Sequence, residues 1–330
     1  MTRKIAVIGA GGWGTATGGL LAEKGFDVSM LAHEADHLAE IERTGRNDRF
    51  LEGYVLPERL RVTLDAKECL AGADTVLSVV PTKYLRRTWR RIAGRVEAGA
   101  PVVSLTKGIE PRTLERPTEI LAEYLPDHPL AVLSGPSHAE EVARHLPTTV
   151  TVASRSTKVA RRLQEDFGTN SFRVYTNRDV FGVEFGGAMK NVIAIAAGVL
   201  DGLELGDNTK AALLTRGLAE IVALGTHLGA KRHTLYGMSG MGDLITTAFS
   251  PFGRNRAVGE RIGRGEKLAD ILASSVKVAE GVPTTRSVRD LARREGIEMP
   301  ITEQVYLALY KGKDPRRAIE DLMQRRGKSE

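Results

Sequence analysis

The sequence predicts an α/β half built on a doubly wound sheet, followed by an all-helical half. Three observations carry that prediction. The chain has 330 residues, more than one compact core usually takes. As far as about residue 180, short β-branched runs alternate with helical stretches, which is the mark of a mostly parallel sheet. From Asp179 onward the alternation stops and apolar residues recur at helical spacing. The expected domains are therefore 1–180 and 181–330, with no repeat, low-complexity tract or long linker.

The first run, 3–8, leads straight into Gly9-Ala-Gly11-Gly12-Trp13-Gly14, then a helical stretch 15–24, Gly25 and an apolar strand 26–31. Strand, glycine turn, helix, strand is the context in which G-x-G-x-x-G has a physical meaning. Gly9 makes the tight turn, Gly11 lets backbone approach a pyrophosphate, and Gly14 lets the helix pack on the strand with its N-terminus facing the phosphates. These features predict a Rossmann-like dinucleotide-binding domain. Beyond its second strand, an acid meets the ribose hydroxyls of NAD or a cation meets the 2′-phosphate of NADP. Here His33 and Glu34 supply one of each, so NAD(H) and NADP(H) are both expected to serve.

Strands are next expected at 74–80 and 102–105, with a basic helix at 84–96 between them. Lys107 follows the second of these, at a strand's carboxyl end, where doubly wound sheets bind ligands. A strand at 130–133 opens into Ser134-Gly135-Pro-Ser137-His-Ala139 and a short helix 140–145, again suited to an anion. The last strands are expected at 147–153 and 172–175.

In the second half, helices are expected at 183–200, 209–228, 256–262, 268–273, 285–294 and 302–310. The first is apolar or small at almost every position except Lys190, so it reads as buried on all sides and placed at the seam between the halves. Burial disfavours an ammonium, and a lysine held there becomes able to exchange a proton; the alternative is a stem along the helix with its head snorkelling to water. Two loops carry candidate chemistry, the alternatives being an acid that only caps a helix and an arginine that only faces solvent. Tyr236-Gly-Met-Ser-Gly-Met-Gly-Asp243 puts an acid after a chain of glycines, ahead of Thr246-Thr247, and could orient the lysine. Ser250-Pro-Phe-Gly253-Arg254-Asn255-Arg256 is a turn feeding a helix that starts with arginine, a cradle for a dianion.

Composition narrows the function classes. Lys and Arg number 47 against 41 Asp and Glu, a net charge of +6, but the basic residues are dispersed and form no arm or aromatic-and-basic stripe, so no nucleic-acid partner is expected. Cys69 is the only cysteine, which excludes an internal disulfide framework and fits a cytoplasmic protein. The eighteen uncharged residues 5–22 contain six glycines, too many for a membrane helix or signal peptide, so no membrane insertion is expected.

Together these motifs, with Gly186-Gly-Ala-Met-Lys190-Asn-Val-Ile-Ala, Thr215-Arg-Gly-Leu-Ala-Glu220 and Ala279-Glu280-Gly281, resemble those of the bacterial NAD(P)-dependent sn-glycerol-3-phosphate dehydrogenases, in family order and as far as about Tyr310. The resemblance implies a helical domain like the C-terminal domain of 6-phosphogluconate dehydrogenase. It also implies interconversion of sn-glycerol 3-phosphate and dihydroxyacetone phosphate, feeding phospholipid synthesis, with NAD(P) as cofactor and no metal. By position, Lys190 matches the proton acceptor, and Asp243, Lys107 and Thr247 complete its surroundings. Lys107, Gly135, Ser137, Asp243, Gly253, Arg254 and Asn255 match substrate contacts. Gly9, Gly11, Gly12, Trp13, Gly14, His33, Phe50, Lys107, Ala139, Arg254, Val278 and Glu280 match cofactor contacts. Two positions depart from the family, which usually has serine in place of Gly12 and of Gly253; the second loss removes a hydroxyl that could hold the substrate phosphate. The rival readings are a hydroxy-acid or sugar-acid dehydrogenase of the same architecture and a dinucleotide sensor without turnover, and a homodimer is left open.

Overall fold

The computed structural model describes residues 2–275 and 278–327. The chain divides into two units, Met1–Lys107 with Glu115–Glu184, and Gly108–Leu114 with Phe185–Glu330.

The first unit is a Rossmann-like domain on one sheet of eight strands: β1 (Lys4–Ile8), β2 (Asp27–Leu31), β3 (Leu60–Thr63), β4 (Thr75–Ser78), β5 (Val102–Ser104), β6 (Leu130–Ser134), β7 (Thr148–Ser154) and β8 (Phe172–Asn177). Their order is β3-β2-β1-β4-β5-β6-β7-β8, and only the β6–β7 pair is antiparallel. Strand order reverses between β1 and β4, so the carboxyl end of β1 is the ligand-binding crevice of such a sheet. Both faces are covered. In β1, Ile5 and Val7 join the core on one face while Ala6 and Ile8 join it on the other. Cys69 is buried with its thiol on the Ser29 carbonyl, and burial pushes its pKa up to about 11, which makes it a packing residue.

β3 went unread in the sequence because only its two ends, Leu60 and Thr63, face inward while Arg61 is exposed, too little signal for a strand at a sheet edge. The helices Ala35–Thr44, Pro117–Tyr124 and Thr157–Phe167 are likewise additional to the expected elements, each burying only part of its surface.

The second unit is helical. The Val180–Gly202 helix, three residues longer at its start than expected, is buried without interruption from Gly182 to Gly198. It meets the Arg254–Gly263 helix backbone to backbone. A Cβ on Gly198 would lie 1.9 Å from the Arg256 carbonyl oxygen, and one on Gly259 would lie 1.9 Å from that of Ile195. Gly198 and Gly202 on one helix, and Gly259 and Gly263 on the other, are spaced one turn apart, the small-xxx-small pattern that lets helices approach closely.

Glu220, buried on the Gly206–His227 helix, accepts from the backbone amides of Ile301 (2.6 Å) and Thr302 (3.2 Å) and from the Thr302 hydroxyl, capping the Pro300–Lys311 helix. Burial outweighs those donors and pushes its pKa up to about 7, from an ordinary 4.5. Between these values the folded chain holds the proton more firmly than the unfolded one. The stability it contributes is therefore full below about pH 4.5 and is lost as pH rises through 7, about 3 kcal/mol over the whole range. Thermal unfolding of wild type and Glu220→Gln from pH 5 to 8 should show the wild type losing ground to the variant as pH rises. A pH-independent gap would mean that this carboxyl does not titrate there.

Candidate active site

The glycine turn at the end of β1 has the geometry its spacing predicts. Gly9 has φ +118°, and a Cβ there would lie 2.9 Å from the Val79 carbonyl oxygen; a Cβ on Gly14 would lie 2.0 Å from the Gly9 carbonyl oxygen. At Gly11, by contrast, a Cβ would meet no atom within 4 Å. The Gly12–Glu23 helix starts directly after it, so the amides of its first turn face that open space. The indole N–H of Trp13 is buried without a hydrogen-bond partner among the described residues. An open cradle, a helix N-terminus and an unmatched buried donor fit the pyrophosphate of a dinucleotide. Gly12 has its own steric cause in this chain, because a Cβ would lie 2.8 Å from the Phe50 carbonyl oxygen and 3.8 Å from the Ala139 Cβ. Gly12, Phe50 and Ala139 are thus brought together, while His33 is exposed just past β2.

In the same unit, Lys107, Gly135 and Ser137 converge. The Lys107 ammonium and the Ser137 hydroxyl each donate to the Gly135 carbonyl, both at 2.9 Å. Gly135 has φ +144° and a Cβ would lie 2.9 Å from Val150 Cα, so no other residue fits this turn.

In the second unit, Lys190 is 6 % exposed, which decides against a snorkelling side chain. Its Nζ lies 2.9 Å from the Asp243 carboxylate and donates to the Thr247 hydroxyl, which in turn donates to Asp243 Oδ1 at 3.2 Å. Asp243 and Thr247 are buried too. The register comes from glycines. Gly186 packs on Gly240, where a Cβ would come within 3.1 Å of Gly240 Cα, so one helical turn further along both segments Lys190 meets Asp243. Asp243, expected in a loop, opens the Asp243–Phe249 helix after a π-type turn, Met238–Gly242. That placement puts Asp243 and Thr247 four residues apart on one helical face.

The Arg254–Gly263 helix begins directly after Gly253, two residues before the expected start at 256, with Arg254 exposed at its first position. Asn255 is buried; its amide donates to Asn191 Oδ1 at 2.8 Å and its oxygen accepts from the Gly281 N–H at 2.8 Å. This bond links the neighbour of Lys190, the neighbour of Arg254 and the Ala279-Glu280-Gly281 segment, which carries Glu280 and follows Val278. Asn191 is a site-building residue absent from the expected site, although a polar residue directly after Lys190 in an apolar helix was the available signal. Gly253 also differs from expectation: a Cβ there would lie 2.8 Å from the Thr247 carbonyl oxygen, so a serine could be restored only by moving a direct partner of Lys190. Among the described residues, no group of three or more His, Cys, Asp or Glu is placed to hold a metal ion.

Residues 4–160 match the N-terminal part, and residues 179–320 the C-terminal part, of the family described as NAD-dependent glycerol-3-phosphate dehydrogenase. The glycerol-3-phosphate dehydrogenase [NAD(P)+] of Citrifermentans bemidjiense is 50 % identical over all of this chain and 99 % of its own length. That of Chlorobium limicola is 47 % identical over 99 % of both. The crystal structure of glycerol-3-phosphate dehydrogenase from Coxiella burnetii superposes with a TM-score of 0.95 at 39 % identity, covering 98 % of this chain and 99 % of that one. With both halves matched in order and the whole fold superposed, this chain belongs to the NAD-dependent glycerol-3-phosphate dehydrogenase family, oxidoreductases acting on a CH–OH group.

Proposed function

We propose that this chain interconverts sn-glycerol 3-phosphate and dihydroxyacetone phosphate, with Lys190 as the proton carrier; the buried Lys190–Asp243–Thr247 cluster is the observation that carries the reading. Residues 1–180 would bind NAD(P), and residues 181–330 would supply the catalytic group. Gly9, Gly11, Gly12, Trp13 and Gly14 would hold the cofactor's pyrophosphate, with His33, Phe50, Ala139, Val278 and Glu280 at its other contacts. The nicotinamide, when bound, accepts or returns a hydride. In oxidation, the Lys190 amine takes the proton of the carbon-2 hydroxyl while Asp243 stabilises the ammonium that results. In reduction, the same ammonium polarises the ketone oxygen and protonates it. Thr247 fixes the direction of Nζ, so that it points at one oxygen. Lys107, Gly135, Ser137, Gly253, Arg254 and Asn255 would hold and orient the phosphorylated substrate. The lone, buried thiol suits the cytoplasm, where the reductive direction would supply glycerol 3-phosphate for phospholipid synthesis.

The deciding assay follows nicotinamide absorbance with dihydroxyacetone phosphate and NADH or NADPH, beside a panel of keto acids and sugar acids. Turnover with the phosphorylated ketone and both cofactors is expected. Activity confined to the acids would favour another dehydrogenase of this architecture, and no turnover a sensor.

Arg254→Ala should lower kcat/KM for glycerol 3-phosphate about 30- to 200-fold, the worth of a charge-assisted contact of roughly 2–3 kcal/mol. Oxidation of unphosphorylated glycerol should hardly change. An equal loss on both substrates would mean that Arg254 does not hold the phosphate.

A further inference from the structure

The carboxyl end of β2 carries a cation, Arg49, that no spacing along the chain places there. Gly9 donates its N–H to the Leu31 carbonyl (3.2 Å), so the chain leaving β2 starts beside the glycine turn and passes through His33 and Glu34. Glu34 is not free at that point. Arg49 lies 2.6 Å from its carboxylate and 3.6 Å from that of Asp36, with its guanidinium 5.6 Å from the Phe50 ring centroid.

Arg49 is brought there by the turn that contains it. The buried Asn47 side chain donates to the Ala10 carbonyl (2.9 Å) and to the Thr15 hydroxyl (2.7 Å), and its oxygen meets His37 Nε2 at 2.7 Å. Asn47 thereby ties the turn to the glycine loop itself, and the Phe50 carbonyl presses onto the space left by Gly12.

We propose that Arg49 sets how this chain treats the 2′-position of the cofactor's adenosine ribose. With Arg49 on it, Glu34 no longer repels a 2′-phosphate, and the guanidinium is close enough to exchange the carboxylate for that phosphate. The exchange is favourable because the Glu34–Arg49 pair lies at the surface, its side chains 48 % and 32 % accessible, and surface pairs are worth less than about fivefold in an equilibrium. A guanidinium on a phosphate dianion is bidentate and stronger. When the ribose carries no phosphate, Arg49 stays on Glu34 and NADH is accepted. The proposal rests on the reading that this unit binds NAD(P) with the adenosine ribose beyond β2.

The test is binding to the free enzyme by titration calorimetry, with NADPH, NADH, adenosine 2′,5′-bisphosphate and 5′-AMP as probes. Arg49→Gln should weaken NADPH and the bisphosphate at least tenfold while leaving NADH and 5′-AMP within about twofold. Glu34→Gln should tighten NADPH a few-fold, and Arg49→Gln/Glu34→Gln should recover part of what the arginine change lost. Equal changes for phosphorylated and unphosphorylated probes, or none, would overturn the role of Arg49 while leaving the cofactor site standing. A wild type that binds neither nucleotide would overturn the site and the proposal together.

Discussion

Lys190→Met should oxidise glycerol 3-phosphate about 10²- to 10⁴-fold more slowly than wild type, the usual worth of a general acid or base. Methionine keeps most of the side-chain volume in a helix that has no room to spare, so packing survives. It also leaves Asp243, 2 % exposed, as a buried carboxylate without its 2.9 Å cation, and breaking such a pair costs about 3–5 kcal/mol. Stability must therefore be measured beside turnover. Adding Asp243→Asn to the methionine variant should restore the melting temperature without restoring activity, which separates the chemical loss from the folding loss. Wild-type oxidation should rise with pH as the amine gives up its proton, and that limb should vanish in the variant. Should the single variant keep more than about a tenth of wild-type turnover at full folded occupancy, Lys190 is not the proton carrier.

Gly259→Ala should destabilise the chain by about 3 kcal/mol and depress turnover, although alanine is the better helix former by about 1 kcal/mol. Packing wins over propensity because the added methyl would sit 1.9 Å from the Ile195 carbonyl oxygen and 2.9 Å from the Val199 amide nitrogen, both backbone atoms that cannot rotate aside. The two helices must part. One turn back along each of them lie Asn255 and Asn191, whose 2.8 Å bond aligns the start of the arginine helix with Lys190, so parting should cost both stability and rate. Denaturant unfolding and kcat/KM for glycerol 3-phosphate report the two effects. If the variant were as stable as wild type or more so, the close approach of these helices would be wrong.

Local chemistry along the chain dictates one part of this protein. A β-branched run ending in G-x-G-x-x-G could only be a strand feeding a helix, and Lys190 stood out because a charge inside an apolar helix demands a reason. Turn residues at 250–256 marked the approach to a helix to within two residues, and the switch in periodicity near residue 180 separated the sheet from the helices. Which of those groups meet depends on packing between distant segments. Asp243 reaches Lys190 because two glycines, 186 and 240, let distant segments touch, and a contact across more than fifty residues leaves no periodic trace in the chain. Gly253 is a missing phosphate ligand by sequence, whereas in the fold the Thr247 carbonyl occupies the space a side chain there would need. Arg49, ordinary in a polar stretch, acquires its meaning from Asn47, whose buried bonds to the glycine turn bring it to Glu34. Spacing along a chain fixes what each segment can become, whereas steric complementarity between segments fixes which charges face each other, and only folding applies the second constraint.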